Sequence, residues 1–191
     1  MNKRQFRDSL QKKQYQDWFD SLTDNDYPEL ERQLTNGFQP KDGRTKAQMA
    51  VQITYYRRKE PLFAITLKEL FPTVIQSEDI TKFDFSVKSP SGKGLLIDYK
   101  YMEAPAFQVW VKQGFAEEIM KNKQAVVVCE IAKTNFYHVI TQNDIIKSPL
   151  CEHLIHKGST KPIGVYWCNT LISYSKSEML VYLSIIEGGI E

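Results

Sequence analysis

The stretch "KFDFSVKSPSGKGLLIDYKYM", residues 82–102, predicts two β-strands joined by a tight turn. In the first strand apolar and polar residues alternate, which indicates one buried face and one polar face. In the second strand three aliphatic residues come directly before Asp98, Tyr99 and Lys100. Charges at the end of a buried strand are costly to desolvate. The charged residues of this hairpin are therefore candidates for a functional site.

The turn between the two strands sets their register. The sequence "PSG" at residues 90–92 fits a three-residue loop, in which a type I turn is followed by a glycine in the left-handed conformation. This loop places Asp84 directly opposite Asp98, with Lys100 two residues farther along the same face. Two facing carboxylates repel each other, and a hard divalent cation between them would remove the repulsion. Alternatively, both acids lie on a solvated face and Lys100 is an ordinary surface ion-pair partner.

The rest of the chain changes from helical to strand patterns near residue 82. Helical spacing of apolar residues predicts helices over 3–22, 27–34 and 45–59, with Pro61 ending or kinking the last of them and a short helix following Thr66. Beyond the hairpin, the patterns predict a helix over 105–122, strands over 124–132 and 135–141, a short helix or turn over 141–149, and late strands over 162–169 and 178–186. We therefore expect an α/β fold with a mixed central sheet flanked by helices.

The hairpin acids and lysine resemble the motif of the PD-(D/E)xK nuclease superfamily, which has the restriction-endonuclease-like fold. That motif has an acid on one strand, then an acid, any residue and a lysine on the next, here Asp84 and Asp98-Tyr99-Lys100. The helix and apolar strand that follow come in the order of the family's αβββαβ core. The proline that usually precedes the first acid is absent, and Phe83 stands there.

The resemblance implies a single nuclease domain over 1–191. Its parts would be an N-terminal helical extension over 1–44, a catalytic core over 45–140, and C-terminal strands and loops over 141–191.

The resemblance also implies a Mg²⁺-dependent DNA endonuclease. Asp84, Asp98 and the backbone carbonyl of Tyr99 would bind one or two Mg²⁺ ions, which Mn²⁺ would replace. Lys100 would orient the nucleophilic water or help to deprotonate it. The family often adds an acid from the preceding helix, for which we take Glu69; Glu60 and Glu78 are alternatives. The implied partners are double-stranded DNA and a second copy of the chain in a homodimer.

Basic residues before the core are candidates for contacts with DNA phosphates. They are Arg44, Lys46, Arg57, Arg58 and Lys59. The whole chain carries 25 Lys and Arg against 23 Asp and Glu, so its net charge does not by itself indicate a nucleic-acid partner.

Composition points to a cytoplasmic, intracellular protein. Its three cysteines form no close pair, which favours a reduced compartment, and no long apolar run predicts a membrane span. Within the nuclease interpretation, a type II restriction endonuclease is our first expectation, and a Holliday-junction resolvase or a phage DNA-repair nuclease is the alternative. From another class, the chain could be a non-catalytic DNA- or protein-binding regulator that retains the fold.

Overall fold

The computed structural model describes the chain except for residues 1, 38, 41–42, 78–82, 91–92, 103–107, 133, 154–162, 170–171 and 190–191. Contacts divide it into two compact units, one of them Met1–Pro61 and the other formed by Leu62–His153 with Pro162–Glu191. Within the described parts, no helix combines the length and the apolar character that crossing a bilayer requires.

The N-terminal unit is built of helices. They are α1 (Lys3–Ser9), α2 (Lys13–Asp20), a 3₁₀ turn (Asp24–Asp26), α3 (Tyr27–Thr35) and α4 (Lys46–Arg57). The predicted helix over 3–22 is in fact two helices, because Gln11 adopts a left-handed conformation with φ of 61°. The break lets residues from both helices, among them Leu10 and Trp18, enter one apolar cluster.

The unit boundary lies later than the predicted boundary at residue 44. Helix α4 contributes Ala50 and Val51 to the same apolar cluster as Leu10 and Leu30, so it packs with the N-terminal helices. The next helix, α5 (Lys59–Lys68), contains Pro61 in its first turn. A proline is tolerated there because the first N–H groups of a helix have no intrahelical acceptor. The predicted helix over 45–59 therefore ends before Pro61, as expected, but the proline lies at the start of the next helix.

The second unit holds two sheets. Its strands are β1 (Thr73–Gln76), β2 (Phe85–Lys88), β3 (Gly94–Met102), β4 (Gln108–Lys112), β5 (Ala125–Ile131), β6 (Phe136–Ile140), β7 (Leu150–His153), β8 (Ile163–Asn169) and β9 (Tyr174–Ser175). Its helices after α5 are α6 (Gln113–Lys121), α7 (Gln142–Ile146) and α8 (Lys176–Gly188). The larger sheet has the order β1-β2-β3-β5-β6-β9 and the smaller one β4-β8-β7.

The strand directions confirm the expected α/β class. Strands β1, β2 and β3 are antiparallel neighbours, and β5 pairs parallel to β3. Helix α5 precedes these strands, and β4 and α6 lie between β3 and β5 in the chain. Because β4 belongs to the small sheet, α5, α6 and the strands β1, β2, β3 and β5 of the large sheet follow the order αβββαβ. One face of the large sheet packs against apolar residues of α5 and α8. The other packs against α6, α7 and the small sheet.

The predicted helix over 105–122 begins with a strand. Residues Gln108–Lys112 form β4 and pair antiparallel with β8, and only from Gln113 onward is the segment helical. The letters "QVWVK" combine β-branched and aromatic residues, which favours an extended strand once a partner strand is present.

The predicted strand over 178–186 is the helix α8. Ser175 accepts a hydrogen bond from the backbone N–H of Glu178, and the Glu178 side chain caps Ser175 in return. This capping box starts the helix, and Gly189 ends it in the left-handed conformation. The segment is apolar because one side of the helix is buried against the sheet through Met179, Leu180, Leu183 and Ile186.

Candidate active site

The register of the hairpin agrees with the sequence prediction. Phe85 lies opposite Ile97, and Lys88 lies opposite Gly94. Continued by one residue, this register places Asp84 opposite Asp98. The turn residues 91–92 lie outside the described residues, but the strands on either side have the spacing that the three-residue loop requires.

Asp84 is held between two neighbouring strands. Its Oδ2 accepts a hydrogen bond from the backbone N–H of Tyr99 at 2.7 Å. Its backbone carbonyl accepts a hydrogen bond from the N–H of Ser77, also at 2.7 Å. The Asp84 carboxylate therefore lies against β3, beside the residue that follows Asp98.

Asp98 and Lys100 form an ion pair in which the carboxylate is the more buried partner. Lys100 Nζ lies 2.8 Å from Asp98 Oδ2, and the side chains are 36% and 9% exposed, respectively. The contact lacks the angles of a hydrogen bond, and Oδ2 is buried with no hydrogen-bond donor among the described residues. A buried carboxylate charge is costly unless it is paired, and the Lys100 ammonium is the partner that the described residues provide for Asp98.

The two aspartates act on Lys100 electrostatically. Burial, the largest single influence, disfavours the ammonium form, but the negative charge of Asp98, with smaller contributions including that of Asp84, outweighs it and raises the pKa of Lys100. Both carboxylates are therefore close enough to stabilise the same positive charge. Lys100 consequently remains protonated at neutral pH.

The residues present fit a small, hard cation. Mg²⁺ is usually bound by one or two carboxylates, with water and substrate phosphate completing its shell. Asp84 and Asp98 would provide the two carboxylates, and the buried Oδ2 of Asp98, which lies beside the Lys100 ammonium, is an anionic oxygen of the kind that such a cation binds. The carbonyl of Tyr99 lies on the same edge of β3 as its N–H, which points to Asp84.

The structure does not bring Glu69 to these aspartates. Its Oε1 lies 2.9 Å from Nζ of Lys176, the first residue of α8. Among the described residues, no group of three or more His, Cys, Asp or Glu side chains is placed to hold a metal. Of the alternatives, Glu60 lies in the first turn of α5, and Glu78 lies outside the described residues.

Strand β1 was missed in the sequence analysis, although it supports Asp84 through Ser77. The letters "TVIQS" at 73–77 contain three β-branched residues in a row, which favour a strand. The four-residue length of β1 made this signal weak.

The basic residues proposed for DNA have contacts within the N-terminal unit. Arg57 Nη1 lies 3.2 Å from Glu29 Oε1. Arg58 donates to the carbonyl of Ser21, and its guanidinium lies 4.6 Å from the ring centroid of Tyr55. The side chain of Arg44 donates to that of Gln52, and Lys46 donates to the carbonyl of Asn36. DNA binding by these four residues and Lys59 stays a prediction, and four of them have a structural role as well.

Comparison with known proteins gives only weak similarity of structure. No family model matches the chain, and no curated protein matches it significantly. Among solved structures, the chain is similar to Hjc, a Holliday junction resolvase from Archaeoglobus fulgidus. The two chains are 11% identical with a TM-score of 0.40, and the similarity covers 59% of this chain and 81% of Hjc. The assignment of function therefore depends on the site itself.

Proposed function

We propose that this chain is a divalent-metal-dependent DNA endonuclease that hydrolyses phosphodiester bonds. One observation carries the proposal: Lys100 Nζ lies 2.8 Å from a buried oxygen of Asp98, and Asp84 accepts a hydrogen bond from the N–H of Tyr99, the residue between them. A phosphodiester hydrolase needs acids that hold a metal beside a cation that faces the phosphate. The motif resemblance and the αβββαβ order of elements support the same class of enzyme.

The proposed metal ligands are Asp84, Asp98 and the Tyr99 carbonyl, with Mg²⁺ as the cofactor and Mn²⁺ as a substitute. A bound divalent ion lowers the pKa of a water ligand and neutralises charge that develops on the phosphate. The hydrogen bond from the Tyr99 N–H fixes one oxygen of Asp84. The resemblance allows one or two ions, and the two aspartates together with the Tyr99 carbonyl are the ligands proposed here for the first of them.

Lys100 has two proposed tasks, which are to orient the attacking water and to stabilise negative charge on the phosphoryl oxygens. Its raised pKa favours the second task and makes it a poor base at neutral pH. If Asp98 held a metal ion, its charge would be compensated by that ion, and the Lys100 ammonium would then be able to face the substrate.

The proposed substrate is double-stranded DNA, cut by a homodimer. A type II restriction endonuclease remains the first interpretation, and a resolvase of four-way junctions or a phage repair nuclease is the alternative. The basic residues of the N-terminal unit are proposed to contact phosphates, which contribute affinity without reading sequence.

The proposal is tested by incubating the protein with plasmid, linear duplex and four-way-junction DNA, in Mg²⁺ and in EDTA. We expect cleavage in Mg²⁺, with loss of activity in EDTA and in Lys100→Ala. Defined fragments from linear DNA would indicate a restriction enzyme, and cleavage confined to junctions would indicate a resolvase. Binding of DNA with no metal-dependent cleavage of any substrate would favour the non-catalytic regulator and overturn the proposal.

A further inference from the structure

A cleft of about 730 Å³ opens in the second unit beside the candidate active site. In its lining, Ile75, Ser86 and Leu96 form one row across β1, β2 and β3. Residues two apart on a strand share a face, so Ser86 is the neighbour of Asp84 and Leu96 is the neighbour of Asp98. The rise of a strand separates these neighbours by about 7 Å. The cleft and the two carboxylates therefore share one face of the sheet.

The opposite wall of the cleft comes from α6 and is aromatic. Phe115 and Phe83 both line it, with their rings perpendicular and their centroids 5.8 Å apart. Gly114 adds no side chain, and no atom lies within 4 Å of the position that a Cβ would occupy there. The cleft thus lies between the sheet and the rings of Phe83 and Phe115. Its volume is typical of sites that bind small organic groups.

The polar lining of the cleft favours a nucleobase over a phosphate as its ligand. Glu118 lines the cleft and is exposed, with Lys121 Nζ 3.3 Å from its Oε1. A carboxylate repels a phosphate, but it accepts hydrogen bonds from the exocyclic amino groups of bases. Aromatic rings in turn stack on the faces of bases whatever their sequence.

We propose that this cleft receives an unpaired nucleobase of the DNA whose phosphate lies at Asp84 and Asp98. The inference rests on the proposed nuclease function and narrows its substrate. A base can enter the cleft only when it is out of the duplex stack, as in a bulge, a gap, a flap or an extruded nucleotide. The substrate class is therefore DNA with an unpaired nucleotide next to the scissile phosphate.

The test compares two DNA duplexes of the same sequence, one fully paired and one with a single bulged cytosine. Binding is measured by fluorescence anisotropy, with Ca²⁺ in place of Mg²⁺ because both are hard cations that prefer oxygen ligands. We expect the wild-type protein to bind the bulged duplex about tenfold more tightly. Phe115→Ala should remove this preference, weakening binding of the bulged duplex by about tenfold, which lies within the usual range for loss of one stacking platform, and leave the paired duplex unchanged.

The matched control is Phe136→Ala, which removes a phenylalanine that is 46% exposed on β6 and does not line the cleft. It should change neither affinity. If Phe115→Ala does not fold by circular dichroism, Phe115→Leu keeps an apolar side chain and should show a smaller loss in the same direction. Thymine has no exocyclic amino group that could donate to Glu118. The wild-type protein should therefore bind an unpaired cytosine more tightly than an unpaired thymine, and Glu118→Gln should reduce this difference.

The outcomes separate this inference from the proposed function. Equal weakening of both duplexes by Phe115→Ala, or no weakening of either, would overturn the base-binding cleft even if the protein cuts DNA. If the Phe115-dependent preference for the bulged duplex appears but no DNA is cut in Mg²⁺, the cleft binds a base and the nuclease proposal alone fails.

Discussion

The two partners of the buried ion pair should respond very differently to substitution. In Lys100→Met, the long apolar chain remains but the charge is lost, and the Asp98 carboxylate, 9% exposed, keeps a negative charge without a partner. Removing one partner of a buried pair costs about 3–5 kcal/mol. Because Lys100 itself is 36% exposed and partly screened, we expect a loss near the lower end, about 3 kcal/mol. In Asp98→Asn, the ammonium can turn to solvent, and the expected loss is about 1 kcal/mol or less.

Bound Mg²⁺ should reverse the order of these two losses in stability. A ligand at one hundred times its dissociation constant adds about 2.7 kcal/mol to the free energy of unfolding. Mg²⁺ should therefore recover most of the loss in Lys100→Met, where two carboxylates remain, and almost none in Asp98→Asn. The assay is urea unfolding, followed by circular dichroism, of both variants in EDTA and in saturating Mg²⁺. Equal losses in EDTA, or equal responses to Mg²⁺, would refute the view that Asp98 is a metal ligand whose charge Lys100 compensates.

Three further predictions address the remaining assignments. Glu69→Gln should bind Mg²⁺ with the affinity of the wild-type protein in isothermal titration calorimetry, because Glu69 pairs with Lys176. A tenfold weaker affinity of the variant for Mg²⁺ would indicate that Glu69 is a metal ligand. Arg58→Ala should destabilise the N-terminal unit by about 1–2 kcal/mol, through loss of its contacts with Ser21 and Tyr55. The measurement is urea unfolding, with Lys12→Ala, at an exposed position, as the control. Equal stability of the two variants would contradict the structural role of Arg58. Burial tends to raise the pKa of Glu29, but hydrogen bonds from Arg32 and Gln33 and the charge of Arg57 lower it below its usual 4.5. Its stabilising contribution is thus present above pH 4.5 and lost as the pH falls through the lower, folded-state pKa; Glu29→Gln should flatten the pH dependence of stability below pH 4.5, and an unchanged slope would contradict this assignment.

The hairpin could be predicted from sequence because its information is local. Alternation fixes which side chains share a face, and a three-residue turn fixes which residues face each other. These two facts gave the register of Asp84 and Asp98. The patterns after the hairpin also predicted the helix and the apolar strand that follow it, although β1 and β4 were missed.

Other features depend on contacts between residues far apart in sequence. Periodicity does not distinguish a short, wholly apolar strand from a buried helix, so the run at 178–186 was assigned wrongly although the capping pair Ser175 and Glu178 was visible. The pairing of Glu69 with Lys176 spans 107 residues, and that of Arg58 with Ser21 spans 37. No local pattern reveals such partners, and a charged residue therefore looks equally suited to a site and to an ion pair.

The proposed metal site at the hairpin is tested most directly by anomalous diffraction from crystals soaked in Mn²⁺. We expect one anomalous peak between the carboxylates of Asp84 and Asp98, and no peak at that position in crystals of Asp98→Asn. Ordered side chains at the hairpin with no peak between the aspartates, or a peak that persists in Asp98→Asn, would contradict the account.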